Sequence, residues 1–142
     1  MATEFTCTLS DSRAGLQAMM DGAEAFLADN AIPDRTAARI LIALDEIVSN
    51  IFAHGIREGE PTVTVGLRIA DGRIAGEIVD DGIAFDPLAA APPDTGLSIE
   101  DRPIGGLGLH IVRETMDEIR YDRDHRRNRL RFHKMFALKD SD

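Results

Sequence analysis

Between Asp34 and Gly55, the residues Ala37, Ile40, Leu41, Leu44, Ile47, Val48, Ile51 and Phe52 recur at three- and four-residue intervals. That spacing lays one broad apolar arc along a helix, and the arc has to be buried against something. Asp34 suits the cap of this helix, and Gly55 is a good stop. The next apolar runs have a different period. Thr62 to Ile69 and Arg73 to Val79 alternate apolar and polar residues around Ala70-Asp71-Gly72, the signature of a tight antiparallel hairpin.

The same reading places a short strand at Phe5 to Leu9 and a first helix from about Arg13 to Asp29, with Ser10-Asp11-Ser12 as its cap. Asn30-Ala31-Ile32-Pro33 breaks that helix. From about Asp80 to Gly106 the periodicity is lost among Pro87, Pro92, Pro93 and Pro103. A stretch of this length is either disordered or a functional lid. A third helix is expected from about Leu107 to Asp117. Strands at Glu118 to Asp122 and Arg129 to Leu138 follow, around a turn at Asp124-His125-Arg126-Arg127-Asn128.

With 142 residues the chain has room for one domain, a sheet under a helical layer, and none for a second catalytic domain. Hydrophobic residues at 44% and charged residues at 29% give the balance of a folded globular protein. The net charge of -9 argues against general binding to nucleic-acid phosphates or anionic lipid. Arg123, Arg126, Arg127, Arg129 and Arg131 read as a solvated hairpin. Cys7 is the one cysteine, so an internal disulfide and a thiolate-pair zinc site are both excluded. No run of ~18 apolar residues and no basic-then-apolar leader is present, so a cytoplasmic location is expected.

Three constellations stand at the edges of these elements. Glu46, Asn50 and His54 are spaced four and four on the second helix, on the side away from the apolar arc, with Ala43 and Ala53 keeping the stripe low. By itself this is a plain solvent face. Yet Asn is a poor mid-helix residue, a carboxylate can take a proton, and one turn away an amide oxygen can bind Mg. Second, Asp80-Asp81-Gly82-Ile83-Ala84-Phe85-Asp86-Pro87 ends a strand. Read blandly it is an acidic turn; read functionally, Asp80 accepts from an exocyclic amine while Gly82 lets a base approach the backbone, which fits adenine. Third, Gly105-Gly106-Leu107-Gly108-Leu109 leads into a helix, where amide N–H groups can face phosphate. No Lys-Ser or Lys-Thr follows, so it is not a Walker A loop.

In this order and spacing the three resemble the N, G1 and G2 boxes of the GHKL ATPase/kinase superfamily, over nearly the whole chain. Residues 43–55, Gly105 to Val112 and Met116-Asp117-Glu118 are most similar to the anti-sigma-factor serine/threonine kinases. Ala84 stands where histidine kinases and gyrases often have a second glycine, and Phe85-Asp86-Pro87 is the continuation of the anti-sigma branch.

The resemblance implies an α+β fold, a two-layer α/β sandwich of the Bergerat ATP-binding type. Its mostly antiparallel mixed sheet would be covered on one face by three helices, with an ATP lid. It further implies Glu46 as general base, Asn50 as Mg ligand and Asp80 as adenine contact. Gly82, Gly105, Gly106, Leu107, Gly108 and Leu109 would line the nucleotide, and His54 would be structural or phosphate-side. Cofactors would be ATP and Mg. Partners would be a STAS-like anti-sigma antagonist, phosphorylated on serine, and a sequestered sigma factor, with a homodimer possible. Two other functions fit the same motifs: a nucleotide-gated partner switch without transfer, and the ATP-binding part of a two-component kinase. The latter would need an upstream helical hairpin with a phospho-acceptor His, and the chain opens on the domain's first strand.

Overall fold

The computed structural model describes residues 3–54, 61–84, 86 and 106–137, with backbone alone for His54 and residues 106–110. The strands are β1 (Glu4–Leu9), β2 (Val63–Ala70), β3 (Arg73–Asp80), β4 (Glu118–Asp124) and β5 (Arg127–Met135). The helices are α1 (Ala14–Asp29), α2 (Asp34–His54) and α3 (Gly106–Thr115). The strands form one sheet in the order β1-β2-β3-β5-β4. All four ladders are antiparallel. The expected α+β architecture is therefore present, but the parallel component of a mixed sheet is not found among the described residues. Most of the proposed lid, residues 85 and 87–105, lies outside them.

Alternation divides the sheet into two unlike faces. On β2 and β3, Val63, Val65, Leu67, Ile74 and Ile78 are buried, and the pairing of Ile78 with Leu130 and of Gly76 with Phe132 brings both β5 residues to the same side. On this face the α2 arc of Ile40, Leu44, Ile47, Val48 and Ile51 completes one core with Met19, Phe26 and Leu27 of α1 and Val112 of α3. Each such side chain contributes about 1.5–3 kcal/mol when fully buried. Helix α2 is the middle one, touching α1 on one side and α3 on the other. Gly76 sits under the Phe132 ring, where a Cβ would stand 2.2 Å from the nearest ring carbon.

The opposite face is charged. Arg131 Nε donates to Glu77 Oε2 at 2.9 Å, and Arg68 faces Glu4 at 3.7 Å. A concavity of about 680 Å³ lies over Gly66 and Ala75 on this face, and none of the candidate site residues lines it.

Two expectations about boundaries need correction. The α1 cap is Arg13, without a side-chain cap; Asp11 Oδ1 instead accepts from the Arg13 N–H at 2.7 Å, closing a turn just before the helix. The second hairpin is tighter than expected, with His125 and Arg126 alone forming the turn between the paired residues Asp124 and Arg127. Both have positive φ, 52° and 64°, as a two-residue hairpin turn requires. Arg126 is not a residue type that advertises that geometry, so the sequence reading spreads the turn to Asn128.

Candidate functional site

Asp80 ends β3 on the helix-covered face, paired in register with Asn128 of β5, which in turn pairs with Arg123 of β4. Three neighbouring strands thus place three polar side chains in a row at one end of the sheet. Asp80 is 4% exposed and Asn128 5%. Asn128 Nδ2 donates to Asp80 Oδ1 at 3.0 Å and to the Ile83 carbonyl at 2.7 Å. Gly82 N–H donates to the same Asp80 Oδ1 at 2.9 Å. On its other end, Asn128 Oδ1 accepts from the Tyr121 hydroxyl and from Arg123 Nη1, the latter at 2.9 Å. Arg123 Nη1 also reaches the Gly82 carbonyl at 3.2 Å. The adjacent Asp81 faces the other way and closes on Thr62, accepting its N–H at 2.7 Å.

Burial pushes the Asp80 carboxyl above its ordinary value, and the neighbouring Asp81 charge adds to this. The Asn128 and Gly82 hydrogen bonds and the Arg123 charge pull it back, without cancelling the rise.

The second cluster lies on α2. Asn50 is 6% exposed, and its Nδ2 donates to the Glu46 carbonyl at 2.6 Å and to Glu46 Oε1 at 3.2 Å. Glu46 is half-buried. At Glu46 and Asn50 the stripe is therefore not the solvent face of the helix. Ala43 and Asn50 are seven residues apart, so they fall on one line of the helix. Ala43 is fully buried in the core rather than a low spot on an open surface, and this carries Asn50 into the core's edge. Ala53 is exposed, as expected.

Of the remaining expected site residues, Gly82 is placed against Asp80. His54 is the last residue of α2, and its side chain lies outside the described set. Gly106, Leu107, Gly108 and Leu109 form the first turn of α3, described by backbone only, and Gly105 lies outside the described residues. Asn128, Tyr121 and Arg123 were missed by the sequence reading. The basic cluster in which Arg123 was counted is split by strand alternation: Arg123 turns to Asn128, while Arg129 and Arg131 turn to Glu77 on the charged face.

The described part of the candidate site thus has a buried acceptor at a sheet end and a carboxylate held beside an amide on α2. Among the described residues no cluster of three metal-ligating side chains occurs. Residues 9–134 match the histidine kinase-like ATPase domain, and the chain belongs to that family.

Its relatives include the serine/threonine-protein kinase BtrW of Bordetella bronchiseptica, 34% identical over 98 residues, covering 66% of this chain and 69% of BtrW. The serine-protein kinase RsbW of Bacillus cereus is 29% identical over 87 residues, 58% of this chain and 54% of RsbW. The chain thus spans about half the length of that relative. Among solved structures, one of the RsbU and RsbW domains of Rv1364c from Mycobacterium tuberculosis superposes with a TM-score of 0.69 at 16% identity. That match covers 95% of this chain and 33% of the other, and it carries the fold alone.

Proposed function

We propose that this chain is a single-domain ATP-dependent protein serine kinase that regulates a sigma factor through phosphorylation of a STAS-like antagonist. The observation that carries the nucleotide assignment is Asp80. It is a buried carboxylate whose two hydrogen bonds among the described residues both fall on Oδ1, so Oδ2 is the atom an adenine amine would meet. The kinase assignment is supported by relatives that are named a serine/threonine-protein kinase and a serine-protein kinase and by the Glu46–Asn50 pair.

In this reading Glu46, held by Asn50 at Oε1, takes the proton from the acceptor serine as its Oγ bonds to the γ-phosphorus and the bond to the β-bridging oxygen breaks, releasing ADP. Asn50 fits a metal ligand in one respect: its nitrogen is engaged by Glu46, so the oxygen is the end turned elsewhere, and oxygen is what a hard cation takes. Mg would neutralise charge building on the phosphates. Gly82, Gly106, Leu107, Gly108 and Leu109, with Gly105 and His54, would line base and phosphates. A cytoplasmic location and a homodimer belong to the same reading; among the described residues no helix is long and apolar enough to cross a membrane.

Incubation of the purified chain with γ-labelled ATP, Mg and antagonist domains from the same genome tests the reading. Label on an antagonist serine is the expected result. ATP-controlled binding of the antagonist without label would replace the kinase by a partner switch.

A further inference from the structure

Asn128 uses its whole side-chain amide. Two hydrogens go from Nδ2 to Asp80 Oδ1 and the Ile83 carbonyl, and two lone pairs on Oδ1 accept from Tyr121 and Arg123. Turning the amide over would set its oxygen against a carboxylate and a carbonyl, and its nitrogen against the Arg123 donor. In a buried setting such mismatches are expensive. The orientation is set from the far side by Tyr121 and Arg123, both on β4, a strand separated from β3 by β5 in the sheet.

We propose that Tyr121 and Arg123 are positioning residues for nucleobase selection: they lock the Asn128 amide so that Asp80 is presented solely as an acceptor, to a base carrying an exocyclic amine and against one carrying an oxygen there. The inference rests on the ATP reading and names what enforces it. A purine 6-oxygen brought to Asp80 meets a second acceptor. Once the amide is released, its nitrogen can swing to that oxygen, and Asp80, with one donor fewer in a buried site, is more readily protonated and becomes a donor itself. Both routes admit the 6-oxo base. Arg123 also bonds the Gly82 carbonyl, so one guanidinium ties the lock to the loop beside which the base would lie.

The test compares wild type with Tyr121→Phe, Arg123→Ala, Arg123→Lys and the Tyr121→Phe/Arg123→Ala double variant. Tyr121→Phe keeps the ring and removes only the hydroxyl, and Arg123 is exposed, so the fold should survive both changes. The first readout needs no nucleotide: nitrogen-edited NMR of the Asn128 side-chain amide. Slowly exchanging, well-separated proton signals are expected in wild type, and fast exchange in the double variant. The second is competitive binding of ATP and inosine triphosphate, which carries oxygen in place of the 6-amine.

Wild type should prefer ATP, and the double variant should lose about tenfold of that preference, the worth of roughly one hydrogen bond, with Arg123→Lys regaining part of it. Equal weakening of both nucleotides, or a released amide with an unchanged preference, overturns the proposal and leaves ATP binding standing. A wild type with a locked amide that binds neither nucleotide overturns the ATP reading itself, and the proposal with it.

Discussion

At the Asp80 end of the site the polar groups come from residues far apart in sequence, Asp80 and Asn128 being 48 positions apart, whereas at the α2 end Asn50 bonds to Glu46, four residues away on its own helix. The first arrangement exists only when β3, β5 and β4 are in register. The second forms whenever the helix does. On the proposed function, long-range register would fix the recognition surface before any ligand arrives. The local pair would present the reactive groups but need the nucleotide and acceptor to become a catalytic arrangement. Selection of the base and transfer of the phosphoryl group should therefore respond differently to mutation.

The largest expected effect is at the local end. Glu46→Gln keeps size and polarity but cannot accept a proton at neutral pH, so transfer to the antagonist should fall about 10²- to 10⁴-fold, with ATP affinity by calorimetry unchanged. Loss of ATP binding in this variant would mean that Glu46 belongs to recognition, and the contrast between the two ends would collapse.

Asp80→Asn should act in the opposite way. ATP affinity falls by about 1.5–3 kcal/mol, the worth of a hydrogen bond to a charged group, while the apo protein does not lose stability. The sign follows from burial. The folded-state pKa of Asp80 lies above the ordinary 3.8, despite the Asn128 and Gly82 donors and the Arg123 charge, with Asp81 adding to the rise. Its stabilising contribution is thus complete below the ordinary value and is lost as pH rises through the folded one. At pH 7 the ionised carboxylate is at its least favourable, and replacing it removes that cost. A Tm for Asp80→Asn at or above wild type at pH 7, with the gap shrinking on acidification, is the expected outcome. A clear fall in Tm would make Asp80 a structural residue.

Asn50→Ala separates metal binding from helix support. In Mg buffer ATP affinity should drop about tenfold more than in chelator, some 1.4 kcal/mol. Equal losses would confine Asn50 to its bonds with Glu46.

The sequence made the α2 end legible because its signal is local. Glu46 and Asn50 are one turn apart, and helical period alone brings them together. What it misjudged was their exposure, since the line from Ala43 to Asn50 runs into the core's edge, where the burial of Ala43 is a tertiary fact. Asp80 and Gly82 were legible for the same local reason, as a strand end followed by a turn. Asn128 was not. Its neighbours Arg126 and Arg127 carry no pattern of their own, and its role follows from pairing with β3 in a register that depends on where the β4–β5 turn falls. Placing that turn over five residues instead of two left Asn128, a strand residue, in a loop. Tyr121 and Arg123 were then invisible as site residues, because what they touch is Asn128.

That turn offers the smallest effect and the finest test of the contrast. His125 and Arg126 hold positive φ, which costs an L-residue roughly 1–2 kcal/mol, while Gly in place of Arg126 gives back about 0.5–1 kcal/mol through the freedom of the unfolded chain. Asn tolerates the left-handed region better than His, so the His125→Asn/Arg126→Gly double variant should stabilise the fold by about 1 kcal/mol, or roughly 3–5 °C in Tm. The His125–Asp124 contact that it removes, 3.3 Å between two exposed side chains, contributes little. If the hairpin already holds Tyr121, Arg123 and Asn128 in place, relieving its turn adds nothing to recognition, and calorimetric ATP affinity should match wild type. A gain in affinity beyond about threefold, larger than a few tenths of a kcal/mol, would show that the hairpin is still being ordered when the nucleotide binds, and the Asp80 end would lose its claim to be built in advance.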